Sequence, residues 1–67
     1  MSLRRIGTVL SEMRSRKGMT QVDLAKKAKV SQAYIARMES GDKKNPSLAI
    51  VQRLAKALGV SIPELLQ

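Results

Sequence analysis

Residues Thr20 to Gly41 read TQVDLAKKAKVSQAYIARMESG and contain the strongest signal for the fold. They hold two short apolar patterns of helical spacing, and a hydroxyl residue stands directly before each of them. Thr20 with Asp23 matches a capping box, in which the hydroxyl accepts from a first-turn N–H and the carboxylate accepts from the N–H of the cap. Ser31 can cap the next helix. The pattern predicts two helices, at about residues 21–28 and 32–39.

Only Lys29 and Val30 separate the cap of the second helix from the end of the first, so the chain must turn sharply between them. This spacing is typical of a helix-turn-helix motif. Such a motif places the N-terminal residues of its second helix in a DNA groove, and here those residues are Gln32, Ala33 and Tyr34.

Apolar residues at spacings of three and four predict three further helices around this motif. The first covers about residues 3–17 and ends at Gly18, and the fourth begins near residue 47, with either Asn45 or Ser47 as its cap. The fifth covers residues 62–66 behind a capping box of Ser61 and Glu64. The predicted apolar faces of the first four helices consist of Leu3, Ile6, Leu10, Met13, Leu24, Ala25, Ala28, Ile35, Met38, Leu48, Val51, Leu54, Ala55 and Leu58.

The predicted fold class is therefore all-α, a compact bundle of five short helices in one domain over residues 1–67, with no internal repeat. The chain has 67 residues, one aromatic residue (Tyr34) and no cysteine, so aliphatic packing alone must hold the core. No apolar run approaches the roughly 18 residues of a membrane span, and the N-terminus lacks the apolar stretch of a signal peptide. We expect a cytoplasmic, nucleoid-associated protein.

Thirteen Lys and Arg against five Asp and Glu give a formal charge of +8. A polyanionic partner and a surface charged for solubility both fit this number. A basic membrane-surface helix would need Trp or Phe, and single-strand binding needs several aromatic residues for base stacking. Duplex DNA, which is held mainly through its phosphates, has no such requirement.

Catalysis is the weakest interpretation because the chain has no histidine or cysteine. Most of its five acidic residues have explanations as caps, ion pairs or loop residues. No nucleophile–base pair, phosphate-binding glycine loop or metal cluster can be assembled. We expect a protein that is not an enzyme, with no cofactor, metal or small-molecule substrate.

The whole pattern, from Thr20 to Gly41, then Pro46, then LAKALGVSIPELL at residues 54–66, resembles the Cro and phage-repressor type of helix-turn-helix domain, the XRE family. The likeness runs from about Leu3 to Leu66 and implies a lambda-repressor-like fold. One residue departs from the family: Lys29 stands where the family usually has glycine. A left-handed backbone there costs lysine about 1 kcal/mol, which the fold can tolerate.

The resemblance implies that the third helix reads bases. Gln32 has a donor and an acceptor that suit adenine, and Ala33 can meet a thymine methyl. Arg37, one turn after Ala33, suits guanine, with a surface salt bridge or phosphate contact as the alternative. Tyr34 either touches DNA or is simply half-buried, and both interpretations stay open.

The resemblance also implies phosphate contacts. Gln21 matches a residue that binds a phosphate and braces Gln32, and the alternative is a solvated first-turn residue. Arg14 and Glu39 match an ion pair that joins the first helix to the third, with the remaining donors of Arg14 offered to a phosphate. The second phosphate-binding segment, or otherwise a solvated loop, is Lys43, Lys44 and Asn45.

By the same resemblance the chain binds double-stranded DNA as a homodimer, with possible contacts at Val60, Ile62, Leu65 and Leu66. The alternative is that these residues close the core, which we favour for Val60 and Leu65. The expected function is that of a sequence-specific transcriptional regulator, a repressor that binds a palindromic operator through the major groove. The other hypothesis is an antitoxin or adaptor that mainly binds a partner protein and uses DNA binding for autoregulation.

Overall fold

The computed structural model describes residues 6–42 and 45–66, and all regular structure within these ranges is α-helical. Its five helices are α1 (Ile6–Arg16), α2 (Gln21–Ala28), α3 (Gln32–Ser40), α4 (Leu48–Leu58) and α5 (Ile62–Leu65). The all-α prediction is confirmed, and the predicted ends of α2, α3 and α5 agree with the observed ones to within one residue. Leu3 lies outside the described residues.

Side-chain caps begin four of the helices, which is why the boundaries follow so closely from the sequence. Thr20 Oγ1 accepts from the N–H of Asp23 at 3.0 Å, and Asp23 Oδ2 accepts from the N–H of Thr20 at 2.9 Å. Ser31 Oγ accepts from the N–H of Tyr34 at 3.0 Å. At α4, Ser47 Oγ accepts from the N–H of Ile50 at 3.3 Å, which decides between the two predicted caps in favour of Ser47.

One apolar core joins the helices. α2 lies between α3 and α4 and packs on both, α1 packs on α3, and α5 closes the bundle against α4 and α1. Every residue predicted to be apolar-facing in α2 and α3 is buried. The buried core consists of Val9, Leu10, Met13, Leu24, Ala25, Ala28, Ile35, Met38, Val51, Leu54, Ala55, Leu58 and Leu65.

Leu48 is an exception to the predicted apolar face, because 64% of it is exposed. Its spacing from Val51 is helical, but it is the first residue of α4, and none of the helices in residues 6–42 and 45–66 buries it. It lines an open groove together with Pro46 and Leu66 instead. Helical periodicity identifies a face, and only a neighbouring element buries it.

Two helix backbones approach very closely at Gly7, a position that the sequence analysis did not assign. A Cβ atom built on Gly7 would lie 1.8 Å from the carbonyl oxygen of Met38 and 3.1 Å from Cα of Glu39. The backbone of α1 therefore crosses the C-terminal half of α3 at a distance that no other residue type permits. A glycine within an apolar helical pattern was the available signal.

Two joints of the bundle have the same local structure, although no repeat was expected. Residues 24–31 read LAKKAKVS and residues 54–61 read LAKALGVS. Lys29 and Gly59 end α2 and α4 in the left-handed conformation, with φ of 60° and 69°. The valine after each of them donates its N–H to an alanine carbonyl five residues earlier, at 3.0 Å in both joints. This hydrogen bond belongs to the Schellman motif.

Candidate nucleic-acid interface

The exposed side of α3 carries three of the four predicted base-contacting residues. Gln32 and Ala33 form its first turn, Arg37 comes one turn after Ala33, and the side chains of all three residues are exposed. Because Ser31 caps the helix just before Gln32, Gln32 and Ala33 stand at a well-defined N-terminal end. Tyr34 is partly buried against the core, in agreement with the structural alternative for this residue.

A bidentate ion pair holds α3 against α1. Arg14 Nε donates to Glu39 Oε2 at 2.7 Å and Arg14 Nη2 donates to Glu39 Oε1 at 3.0 Å, while Nη1 donates to the carbonyl of Met19 at 2.7 Å. The side chains of Arg14 and Glu39 are only 16% and 9% exposed. The hydrogen bond to Glu39 raises the pKa of Arg14 above its ordinary value, so the guanidinium stays charged.

Each of the three guanidinium nitrogens of Arg14 thus makes a hydrogen bond within the protein. The structure brings the predicted pair together, and it places Arg14 in a positioning role for α3. Its contact with a DNA phosphate stays a prediction.

The amide of Gln21 joins the same carboxylate. Gln21 Nε2 donates to Glu39 Oε1 at 3.0 Å, whereas the family resemblance predicts Gln32 as its partner. The reason is that a carboxylate is a stronger acceptor than an amide oxygen, and Arg14 holds Glu39 beside the N-terminus of α2. Glu39 therefore connects α1, the start of α2 and the end of α3, which fixes the angle at which α3 presents its exposed side.

Arg53 also holds the motif, and sequence reasoning missed it. Arg53 Nε donates to the carbonyl of Ala28 at 3.1 Å, and Arg53 Nη2 donates to the carbonyl of Lys29. A cation at the end of a helix satisfies carbonyls that have no partner within the helix and interacts favourably with the helix dipole. The predicted left-handed turn at Lys29 is present, and an arginine from α4 clamps it. Nothing in the sequence pairs residues so far apart.

Among the predicted phosphate-contacting loop residues, Lys43 and Lys44 lie outside the described residues. Asn45 is exposed just before Ser47, the cap of α4. Its predicted phosphate contact stays a prediction.

The four possible dimer contacts differ in exposure. Leu65 is completely buried within the protomer, which confirms the interpretation favoured for this residue, that it closes the core. Val60 and Ile62 are half-buried against the core, and Leu66 is 49% exposed. Of the four, Leu66 presents the largest accessible apolar surface.

Within the described ranges, no three acidic, histidine or cysteine residues are grouped so as to hold a metal ion. In the same ranges, no helix is long and apolar enough to cross a membrane.

α2 and α3 each begin at a capping residue and are joined by a tight turn, and α1 packs on α3. This arrangement defines a helix-turn-helix domain. A family model described as helix-turn-helix matches residues 10–65, which is most of the chain. The chain therefore belongs to this helix-turn-helix family, of the XRE type that its sequence resembles.

Named relatives and solved structures agree with this assignment. The immunity repressor of Bacillus phage phi105 is 39% identical over 57 residues, which are 85% of this chain and 39% of the repressor. The regulator SinR of Bacillus subtilis is 33% identical over 61 residues, 91% of this chain and 55% of SinR. The chain thus spans less than two thirds of the length of either relative.

Two solved structures superpose closely. SinR, the master regulator for biofilm formation, in complex with DNA, has a TM-score of 0.89 at 32% identity, covering 92% of this chain and 98% of that one. The restriction-modification controller protein C.AhdI from Aeromonas hydrophila has a TM-score of 0.86 at 34% identity, covering 91% of both chains.

Proposed function

We propose that this protein is a sequence-specific regulator of transcription that binds double-stranded DNA, and that it acts as a repressor. The observation that carries the proposal is the row Gln32, Ala33 and Arg37 on the accessible side of a capped helix whose angle is fixed by Glu39. Family membership, the repressor among the relatives and the DNA complex of SinR support it. It includes a location at the nucleoid, and it assigns the protein no catalytic step.

In the proposed complex α3 enters the major groove with its N-terminal end toward the bases. The Gln32 amide pairs with adenine N6 and N7, the Ala33 methyl meets a thymine methyl, and the Arg37 guanidinium pairs with guanine O6 and N7. The N-termini of α2 and α4 face phosphates, because their N–H groups and helix dipoles favour anions. Bound protein would repress by occupying a promoter.

Phosphate contacts in this complex come from Gln21 and from the loop residues Lys43, Lys44 and Asn45. Arg14 contributes less, because its guanidinium nitrogens already hold Glu39 and Met19. The formal charge of +8 supplies the long-range attraction to DNA. Affinity should therefore fall steeply as salt is raised.

The test begins with selection of bound duplexes from a random pool. On the selected site, Gln32→Ala and Arg37→Ala are each expected to cost about 1–3 kcal/mol and to relax the preference at one base pair. Arg16→Ala, an exposed cation at the end of α1, is the matched control and should weaken all sequences only slightly. Recovery of no common sequence from the pool, with all four proteins equal in affinity, would contradict the proposal.

The proposal extends to a symmetric dimer that places two α3 helices about 34 Å apart, one DNA turn. Leu48 and Leu66 are 64% and 49% exposed and line one mostly apolar groove with Ile6, Asn45, Pro46 and Val51, which supports this surface as the contact. Leu66→Lys should lower the dimer fraction in sedimentation and weaken binding to a palindromic site. Its binding to an isolated half-site should be unchanged, and a monomeric wild-type protein at binding concentrations would contradict the dimer.

A further inference from the structure

A second positively charged surface lies where α2 packs against α4. It is an open groove with a volume of about 480 Å³, lined by Lys27, Ala28, Lys29, Arg53, Lys56 and Ala57. We call it the basic groove. Four of these six residues are cations and none is acidic, although the chain as a whole carries five acidic residues. The cations come from the end of α2, from the turn and from α4, so only the tertiary structure brings them together.

The basic groove is separate from the exposed side of α3. α3 packs on α1 and α2, whereas the groove is formed on the side of α2 that packs on α4. Cations gathered around a concave surface without a lining carboxylate repel one another, and their field is focused by the walls of the groove. Such a surface attracts an anion. The binding partner here is therefore distinct from the base pairs that we propose α3 reads.

The donors in the basic groove indicate which kind of anion fits. A phosphate site usually offers backbone N–H groups at a helix N-terminus, but this groove lies at the C-terminal end of α2. There the exposed backbone groups are carbonyls, and Arg53 already binds those of Ala28 and Lys29. What remains toward solvent is mainly the ammonium groups of three lysines, which are flexible point charges on separate stems.

Separate ammonium groups match separate carboxylates better than they match one phosphate. The two alanines in the lining, Ala28 and Ala57, carry only methyl groups, so the main chain of a partner can approach between the cations. We propose that the basic groove binds an acidic segment of a partner protein, whose Asp or Glu side chains pair with Lys27, Lys29 and Lys56. This interaction adds a protein partner to the proposed DNA-binding function and does not depend on it.

The experiment uses the full chain and a fluorescent peptide in which glutamate alternates with serine. The control peptide has glutamine in place of every glutamate. The groove variant combines Lys27→Ala with Lys56→Ala, and the matched control variant combines Lys26→Ala with Arg16→Ala, which removes the same charge from exposed positions outside the groove. Circular dichroism verifies that both variants are folded, and binding is measured by fluorescence anisotropy at low salt.

We expect the groove variant to weaken binding of the glutamate peptide about fivefold, from two exposed ion pairs, and the control variant to weaken it less than about twofold. Amide chemical shifts should change most from Lys27 to Lys29 and from Arg53 to Ala57. Equal weakening by both variants would overturn the proposal, because it would show attraction to net charge alone. No measurable binding of the glutamate peptide by the wild-type protein would overturn it as well.

Binding to a DNA duplex of random sequence tests whether the basic groove binds DNA phosphates instead of carboxylates. If the groove variant loses more affinity for this duplex than the control variant does, while binding the peptide normally, the basic groove is a DNA-phosphate surface and the proposal is wrong. If both variants bind the duplex equally and only the peptide distinguishes them, the proposal is supported.

Discussion

The joint between α2 and α3 and the joint between α4 and α5 are built alike. Each has a left-handed residue after the helix, then valine, then a serine that caps the next helix, and in each the valine N–H returns to an alanine carbonyl at 3.0 Å. They differ in the left-handed residue itself, which is Lys29 in the first joint and Gly59 in the second. They also differ in the helix after the joint, since α3 has nine residues and α5 has four.

Tertiary contacts account for the different roles of these joints. Arg53 binds two carbonyls at the first joint, and Glu39 with Gly7 holds the far end of α3 against α1. α3 is therefore fixed near both ends and can present its side chains at a set angle. α5 serves instead to bury Leu65 and close the core. Similar local sequence makes similar joints, and the surrounding helices decide which joint supports a binding surface.

The largest effect is expected from Gly7→Ala, which tests whether the crossing of α1 fixes α3. The added methyl group would lie 1.8 Å from the Met38 carbonyl oxygen, so the two backbones must separate. We expect the free energy of unfolding in urea to fall by about 3 kcal/mol. Thr8→Ala, at the exposed neighbouring position, should change it by less than about 0.5 kcal/mol. Equal stability of the two variants would mean that α1 and α3 can move apart freely.

Next in size is Arg53→Ala, which removes the clamp that distinguishes the first joint. The loss of two hydrogen bonds from a charged donor should lower the free energy of unfolding by about 1–2 kcal/mol. Amide hydrogen exchange should accelerate at Val30 and stay unchanged at Val60. Lys56→Ala removes the same charge from α4 without these bonds and is the control. Acceleration at both valines would show that the clamp does not act locally.

Exchanging the left-handed residues between the two joints should change the free energy of unfolding by less. The two substitutions should also differ in the size of their effects. Gly59→Lys is expected to cost about 1 kcal/mol, because lysine has to adopt a φ near 69°. Lys29→Gly relieves the same strain but increases the freedom of the unfolded chain, and Arg53 already holds this turn in the left-handed conformation, so a gain of at most about 0.5 kcal/mol is expected. Urea unfolding measures both. Equal and opposite changes would mean that Arg53 does not influence the conformation at Lys29.

The smallest effect is on the pH dependence of stability. It distinguishes the Ser61 cap of α5 from the Ser31 cap of α3. Hydrogen bonds from Ser61 to Glu64 hold the pKa of this carboxyl below its ordinary value of 4.5. A depressed carboxyl pKa contributes stability at neutral pH that is lost as the pH falls below 4.5 toward the folded-state pKa. Glu64→Gln should therefore destabilise the protein at neutral pH and make little difference in acid, as thermal unfolding would measure.

The cap of the first joint provides the comparison for this pH dependence. Ser31 accepts from the N–H of Tyr34, and no carboxylate stands at that third position. Ser31→Ala should cost about 0.5–1 kcal/mol at neutral pH and the same at acid pH. A cost that varied with pH as Glu64→Gln does would contradict this account of the two caps.

Much of the candidate site was predictable because it depends on local chemistry. Capping acts over three residues, so Thr20, Ser31 and Ser61 locate the starts of three helices directly. The same helical period places Gln32, Ala33 and Arg37 on the accessible side of α3. The pairing of Arg14 with Glu39, 25 residues apart, was reached only through resemblance to a family. No local rule connects residues at that distance.

Local sequence was sufficient to specify the five helices, the sharp turn at Lys29 and most of the apolar faces, since caps, left-handed residues and helical spacing act within a few residues. The way in which those helices are held came from tertiary contacts alone. These contacts brought Gln21 to Glu39 instead of Gln32, Arg53 to the turn, and α1 against α3 at Gly7. They also left Leu48 exposed and buried Leu65. Burial and ion pairing depend on which surfaces meet, and residues distant in the chain provide those surfaces.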